Sequence, residues 1–215
     1  MSKPSLRTVL MGTVAAVGLT AGTLASTVGV AQATDPLKVG GGPKANFVLS
    51  SANVKFVVSP SLTELTCTTF SLAGNVNAGT INHTAAAGTL GTLTSSGCWQ
   101  PQLGAASVTP VGTWTVKVTG DAPSGSTVWP AKLDNVSAHV SADVADCSVD
   151  ANGTVTGTFN TATQKFTATG STLALDNVTG ADCATLDILD GDPVSVTGTW
   201  TNTPPAGSSA ITLGH

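Results

Sequence analysis

Cysteine, histidine, carboxylate and tryptophan are the side chains here with chemistry to offer, and their spacing decides which chemistry is open. The four cysteines, Cys67, Cys98, Cys147 and Cys183, are 31, 49 and 36 residues apart. No Cys-x-x-Cys pair exists for thiol exchange, and no histidine lies close in sequence to complete a zinc set. An even number of cysteines reads instead as a disulfide framework. The three histidines are scattered: His83 lies in the loop-like Asn82-His83-Thr84, His139 in an alternating run near Asp134 and Asp143, and His215 is the last residue. No serine has glycine at both −2 and +2, so the nucleophile elbow of many hydrolases is missing. Glu64 is the sole glutamate, and a glycosidase pair would have to come from aspartates that nothing singles out. The expectation is a non-enzymatic chain without a cofactor.

Two constellations suggest binding rather than catalysis. The loop Asp187-Ile188-Leu189-Asp190-Gly191-Asp192 gathers three carboxylates about a glycine, and calcium uses such oxygen-rich turns. Asp187, Asp190 and Asp192 are therefore candidate metal ligands. The spacing matches neither an EF-hand nor the glycine-rich nonapeptides, so a solvated turn is the alternative. Among the four tryptophans, Trp114 and Trp200 lie in alternating runs and read as core. Trp99, directly after Cys98, and Trp129, directly before Pro130, are the candidate contacts for a ligand on an exposed surface.

These residues are positioned by a duplication. Asn53-Val54 leads to Cys67 as Asn135-Val136 leads to Cys147, and Gly97-Cys98 corresponds to Asp182-Cys183. Both halves close on the same four residues, Gly112-Thr113-Trp114-Thr115 and Gly198-Thr199-Trp200-Thr201. Matched positions are offset by 80 at the first cysteine, 85 at the second and 86 at the tryptophan, the drift of a short insertion. The symmetry favours one disulfide per unit, Cys67 to Cys98 and Cys147 to Cys183, among the three connectivities that four cysteines allow.

The composition favours strands. Thr and Val dominate, Gly and Pro recur every few residues, and no stretch beyond residue 34 holds a sustained apolar pattern at helical spacing. In the second unit the Asn152-Gly153 pair reads as a hairpin turn, and residues 160–163 as another. The fold class expected is all-β: two repeated units forming a sandwich or barrel, joined in one core because a unit of about 80 residues buries little alone.

The ends and the charge add a cellular context. Lys3 and Arg7 precede a small-residue apolar run over 9–30 that reaches Ala31-Gln32-Ala33, the layout of a Sec leader cleaved after Ala33. The expected organisation is a leader over 1–33, a flexible segment over 34–45, β units over 46–125 and 126–203, and a tail over 204–215. Past the leader, six lysines and no arginine face twelve acidic residues, 6 − 12 = −6. A phosphate backbone would be repelled, so nucleic acid is not an expected partner. A secreted or cell-envelope location follows, with no transmembrane helix in the mature chain. The Ala, Gly, Thr and Val bias points to a GC-rich actinobacterial source.

The layout of Cys67, Cys98, Trp129-Pro130, Cys147 and Cys183, behind a small-residue leader, resembles uncharacterised secreted proteins of actinobacteria. It is similar also to the secreted proteobacterial activators of alkane oxidation, which are associated with biofilms and hydrophobic substrates. The resemblance implies a surface or adhesion role and transfers no active site. Two functional readings result: an envelope or extracellular protein acting by surface association, cell-wall contact or self-assembly, or a module holding an apolar small molecule between the repeats.

Overall fold

The computed structural model describes residues 35–41 and 46–215. The leader expected over 1–33 lies outside the described residues, as does part of the segment expected over 34–45. Short runs of β-branched and small residues, punctuated by turns, give an almost purely extended chain. In order, the strands are β1 (Leu37–Gly40), β2 (Asn46–Ser51), β3 (Val54–Val58), β4 (Thr63–Val76), β5 (Gly79–Ile81), β6 (Gly88–Gln100), β7 (Gly104–Pro110) and β8 (Trp114–Val118). Next come β9 (Val128–Ala142), β10 (Ser148–Asn160), β11 (Lys165–Ser171), β12 (Leu173–Thr179), the single helical turn α1 (Ala181–Thr185), β13 (Pro193–Thr197), β14 (Thr199–Asn202) and β15 (Thr212–Gly214).

Twelve of these strands form one sheet that closes on itself. β4, β6, β9 and β10 are long and unbroken. Between them run β2/β3, β7/β8, β11/β12 and β13/β14, each a stave interrupted once. Every neighbour is antiparallel and adjacent in sequence, and the ring is sealed where β13 and β14 pair with β3 and β2. The result is an eight-stave, up-and-down barrel, a closure that leaves no free sheet edge in the ring. Each half of the duplication supplies four staves.

The repeat has a structural counterpart at each matched position. Asn53 and Asn135 both have left-handed backbone, with φ of 58° and 56°. Each lets the valine that follows it, Val54 or Val136, turn into the interior, where both are buried. In β9 the inward residues run Trp129, Ala131, Leu133 and then Val136, Ala138, a slip of one that a bulge opposite Gly153–Val155 absorbs. Trp114 and Trp200 stand at the same place on the fourth stave of each unit and are buried.

Both disulfides fall within a unit. Cys67 faces Cys98 directly across β4 and β6, and Cys147 ties the turn before β10 to Cys183 in α1. The interior is a single apolar cluster drawn from both halves, including Val54, Phe70, Leu72, Trp114, Leu133, Phe166 and Trp200.

Three expectations need correction. Asn152-Gly153 is not a turn: it lies inside β10, with Gly153 at φ 146° where a Cβ would come 2.5 Å from the Thr172 carbonyl oxygen. Glycine serves close backbone approach at that point, whereas the turn expected at 160–163 is present over 161–164. The flexible segment and the tail also contain strands. β1 pairs with β15 on one side and β5 on the other, making a small three-stranded sheet. It packs on the barrel end where β4 and β8 finish and β6 and β9 begin, over Ala87, Val118 and Trp129.

Along the staves, buried apolar residues alternate with polar ones, and in β9 Lys132, Ser137, His139 and Ser141 face outward. That is the reverse of a lipid-facing barrel, whose apolar band is on the outside. Among the described residues no helix is long and apolar enough to cross a membrane.

Candidate functional site

An eight-stave barrel has an interior just wide enough to be filled by side chains or to hold one small ligand. Here the filling is incomplete, for a local reason. The β9 register sets Ala138 opposite Ala151 of β10, and Ala142 opposite Ala106 of β7. Four methyl groups on three neighbouring staves thus line the same interior space as Phe56, Phe70 and Trp114, where larger side chains would fill it. A cavity of about 110 Å³ remains, lined also by Val108, Val136, Leu173, Leu175 and Val194. It runs toward the barrel end that carries the disulfides, where Val58, Leu103, Cys147 and Ile188 line it.

The cavity offers little to a polar guest. Its polar side chains are Thr63 and Gln100. Gln100 Oε1 accepts the backbone N–H groups of Gln102, at 2.7 Å, and Leu103, while its Nε2 donates to Gln102 Oε1, so the amide is spent on the β6–β7 turn. Trp114 Nε1 donates to the Ser137 carbonyl, 2.9 Å away, leaving its ring as an apolar wall. At about 24 cal/mol per Å³, an apolar void of 110 Å³ costs roughly 2 to 3 kcal/mol when empty. An apolar guest would offset that cost.

The candidates read from sequence are dispersed. Trp99 projects outward from β6, half exposed, and Trp129 is 7% exposed. Trp129 therefore cannot serve as an exposed contact: the small sheet covers it, and its ring lies 5.7 Å from that of His215. Neither tryptophan lines the cavity. In the acidic loop, Asp190 accepts the Val178 N–H at 2.8 Å and Asp192 the Leu189 N–H at 2.9 Å, while Asp187 takes a left-handed φ of 54°. Asp190 thus ties the loop to β12 and Asp192 closes the turn on itself. Among the described residues, no group of three or more His, Cys, Asp or Glu is arranged to hold a metal ion.

No family model, curated protein or solved structure matches this chain. The functional reading therefore rests on geometry.

Outside the barrel, electrostatics serve the wall. Asp134 accepts from Lys117 at 2.9 Å, from Thr154 at 2.9 Å and lies 3.2 Å from Lys132. These donors hold its carboxyl well below the usual carboxylate range. His139 Nδ1 sits 2.7 Å from Asp150 and lowers that carboxyl likewise, helped by Asn177. Both sets bridge adjacent elements and lie away from the cavity.

One surface feature does belong with it. Of the five large apolar side chains that are exposed among the described residues, Leu62, Trp99, Val144 and Leu189 occupy the disulfide end. Leu62 is in the β3–β4 turn, Val144 in the β9–β10 loop and Leu189 after α1, so they surround the end toward which the cavity runs.

The residues that make the cavity were missed by sequence reading. The signal was Ala138 and Ala142 on one face of an alternating run. Its meaning depended on which strands lie opposite.

Proposed function

We propose that this protein is an exported, non-enzymatic binding module that holds a small apolar molecule inside its barrel. The observation that carries the reading is the apolar cavity left by Ala106, Ala138, Ala142 and Ala151 between the two repeats. Its volume restricts the guest to a compact hydrocarbon of about the size of benzene, which occupies an engineered cavity of roughly 150 Å³. The leader over 1–33 and two disulfides fit export to an oxidising compartment.

The test is an NMR titration with a graded series of hydrocarbons, from benzene to naphthalene. Small members should shift the methyl resonances of Ala138 and Ala151 saturably, with naphthalene binding more weakly. In Ala138→Leu, the added carbons occupy the same space, and benzene affinity should fall at least tenfold while the fold persists. Unshifted alanine methyls across the whole series would remove the proposal.

The apolar rim favours a second reading, association with a surface or a second copy through the disulfide end. Replacing Val144 by Asp should then abolish any concentration-dependent increase in sedimentation coefficient. A wild-type chain that remains monomeric and unadsorbed at high concentration would set this reading aside.

A further inference from the structure

We propose that the apolar guest enters through the side of the barrel, at a seam between β6 and the stave made of β7 and β8, and not through the disulfide end. The inference rests on the ligand reading and adds the route to it.

β6 pairs with β7 at Cys98 with Ala106, Trp99 with Ala105 and Gln100 with Gly104. It pairs with β8 at Gly88 with Val116, Thr89 with Thr115 and Leu90 with Trp114. The two ladders share one register. Between them, among the described residues, 91–97 of β6 and 107–113 of the facing stave form no ladder pair, seven residues on each side. At the rise of a strand this interval is about 23 Å long. Each strand is held from behind: β6 stays paired with β4 from Thr92 to Ser96, and β7 with β9 from Ser107 to Pro110. Across the seam, Ser95 Oγ donates to the Val108 carbonyl at 3.4 Å.

The pleat explains the gap. In the β7/β8 stave the inward residues Ala106, Val108 and Trp114 keep one two-residue alternation. In β6 they do not. From Cys98 the next inward position is Ser95, opposite the buried Phe70 of β4, then Leu93, then Leu90. Gly97, at φ 56°, makes the first three-residue step, and the bulge at Gly91 makes the second. Continued register would set inward Leu93 against exposed Val111, and inward Ser95 against exposed Thr109. Strands one residue out of phase present opposite faces to each other, so the ladder lapses until the second step restores the phase.

The seam borders the cavity. Ala106, Val108 and Trp114 line it from this stave, and Val111, the exposed apolar side chain that lies away from the disulfide end, stands on the seam's outer surface, 48% exposed. The repeat supplies a comparison. In the second unit the equivalent interval runs between the Thr167–Thr199 and Leu173–Val194 pairs and is shorter. It is stitched by the Ala168 N–H to the Gly198 carbonyl at 3.1 Å and by Ser171 Oγ to the Val194 carbonyl. At the disulfide end the cavity is lined by Ile188, which is buried and donates its N–H to the Cys183 carbonyl at 3.1 Å, with Cys183 bonded to Cys147. Parting the seam breaks no ladder pair, whereas entry at the end must displace a residue anchored to a disulfide. Local opening favours the segment that has the fewest bonds to lose.

The test closes the seam from outside and times the guest. Thr94→Cys together with Thr109→Cys places thiols at exposed positions of the two strands, and the four native cysteines, being paired, do not compete. Bridging the new pair with a short bis-alkylating reagent should slow benzene association and dissociation, read by NMR exchange, at least tenfold relative to the unbridged double variant. The dissociation constant should stay within twofold, because a route alters rates and not end states. If the double variant does not fold, Leu93→Ala, which thins the inner side of the seam at a residue outside the cavity lining, should raise both rates at least threefold. Benzene that binds at the same rates with the seam bridged, or in Leu93→Ala as in wild type, overturns the route and leaves the ligand reading standing. Benzene that binds none of these proteins overturns both.

Discussion

Replacing Cys67 and Cys98 together by alanine should lower the unfolding free energy by about 3 to 4 kcal/mol. The bridge closes a loop of 31 residues, and the chain-entropy model assigns a loop of that length about this stabilisation. Its position makes the effect global. The two cysteines face each other across β4 and β6, the two central staves of the first unit, and both are buried. No local fraying can absorb the loss. Urea denaturation should show a midpoint shifted to lower concentration. Thermal melting should show a fall of roughly 10 °C at 2 to 4 °C per kcal/mol for a chain of this size. The Cys147/Cys183 pair closes a loop of 36 residues, and its removal should cost about as much. A loss below about 1 kcal/mol for either pair would mean that the barrel ladder alone restrains the chain.

The second large effect is expected at Trp200. Its side chain is 2% exposed, with its ring 6.4 Å from that of Phe70 and 5.9 Å from that of Phe166. Trp200→Ala removes the centre of that cluster and should cost about 3 to 5 kcal/mol. Trp99→Ala, on the outer face of the barrel, should stay within about 0.5 kcal/mol. Trp114 occupies the repeat position equivalent to Trp200 and lines the cavity. Comparable losses at Trp114 and Trp200 with no loss at Trp99, read by chemical denaturation, would show that the duplication is energetic as well as topological.

The parts of this architecture legible in the sequence are those that repeat. Asn53-Val54 and Asn135-Val136 announce the same left-handed turn into the core. Gly112-Thr113-Trp114 and Gly198-Thr199-Trp200 announce the same interruption in a stave, and the disulfide pairing follows from the symmetry they define. What could not be read depends on contacts distant in sequence. β1 and β15 have four and three residues, too few to show alternation, and each is a strand only because the other is beside it. Trp129 looked exposed because its cover comes from the two ends of the chain. His83 looked like a loop residue because Asp35, its hydrogen-bond partner, is 48 residues away. The alanines of β7, β9 and β10 look like ordinary small residues until the register sets them opposite one another. Asn152-Gly153 misled for the converse reason: the dipeptide has turn geometry available, and tertiary packing uses its glycine for close approach instead.

The claim that the interior takes an apolar guest is tested most directly by thermal melting with and without benzene, on wild type and Ala138→Leu in parallel. Ligand at ten times its dissociation constant stabilises by about 1.4 kcal/mol, so the wild-type midpoint should rise by roughly 3 to 6 °C. Ala138→Leu should melt at or above the unliganded wild-type temperature and should not respond to benzene. A wild-type midpoint indifferent to benzene, or an equal rise in both proteins, would contradict the account.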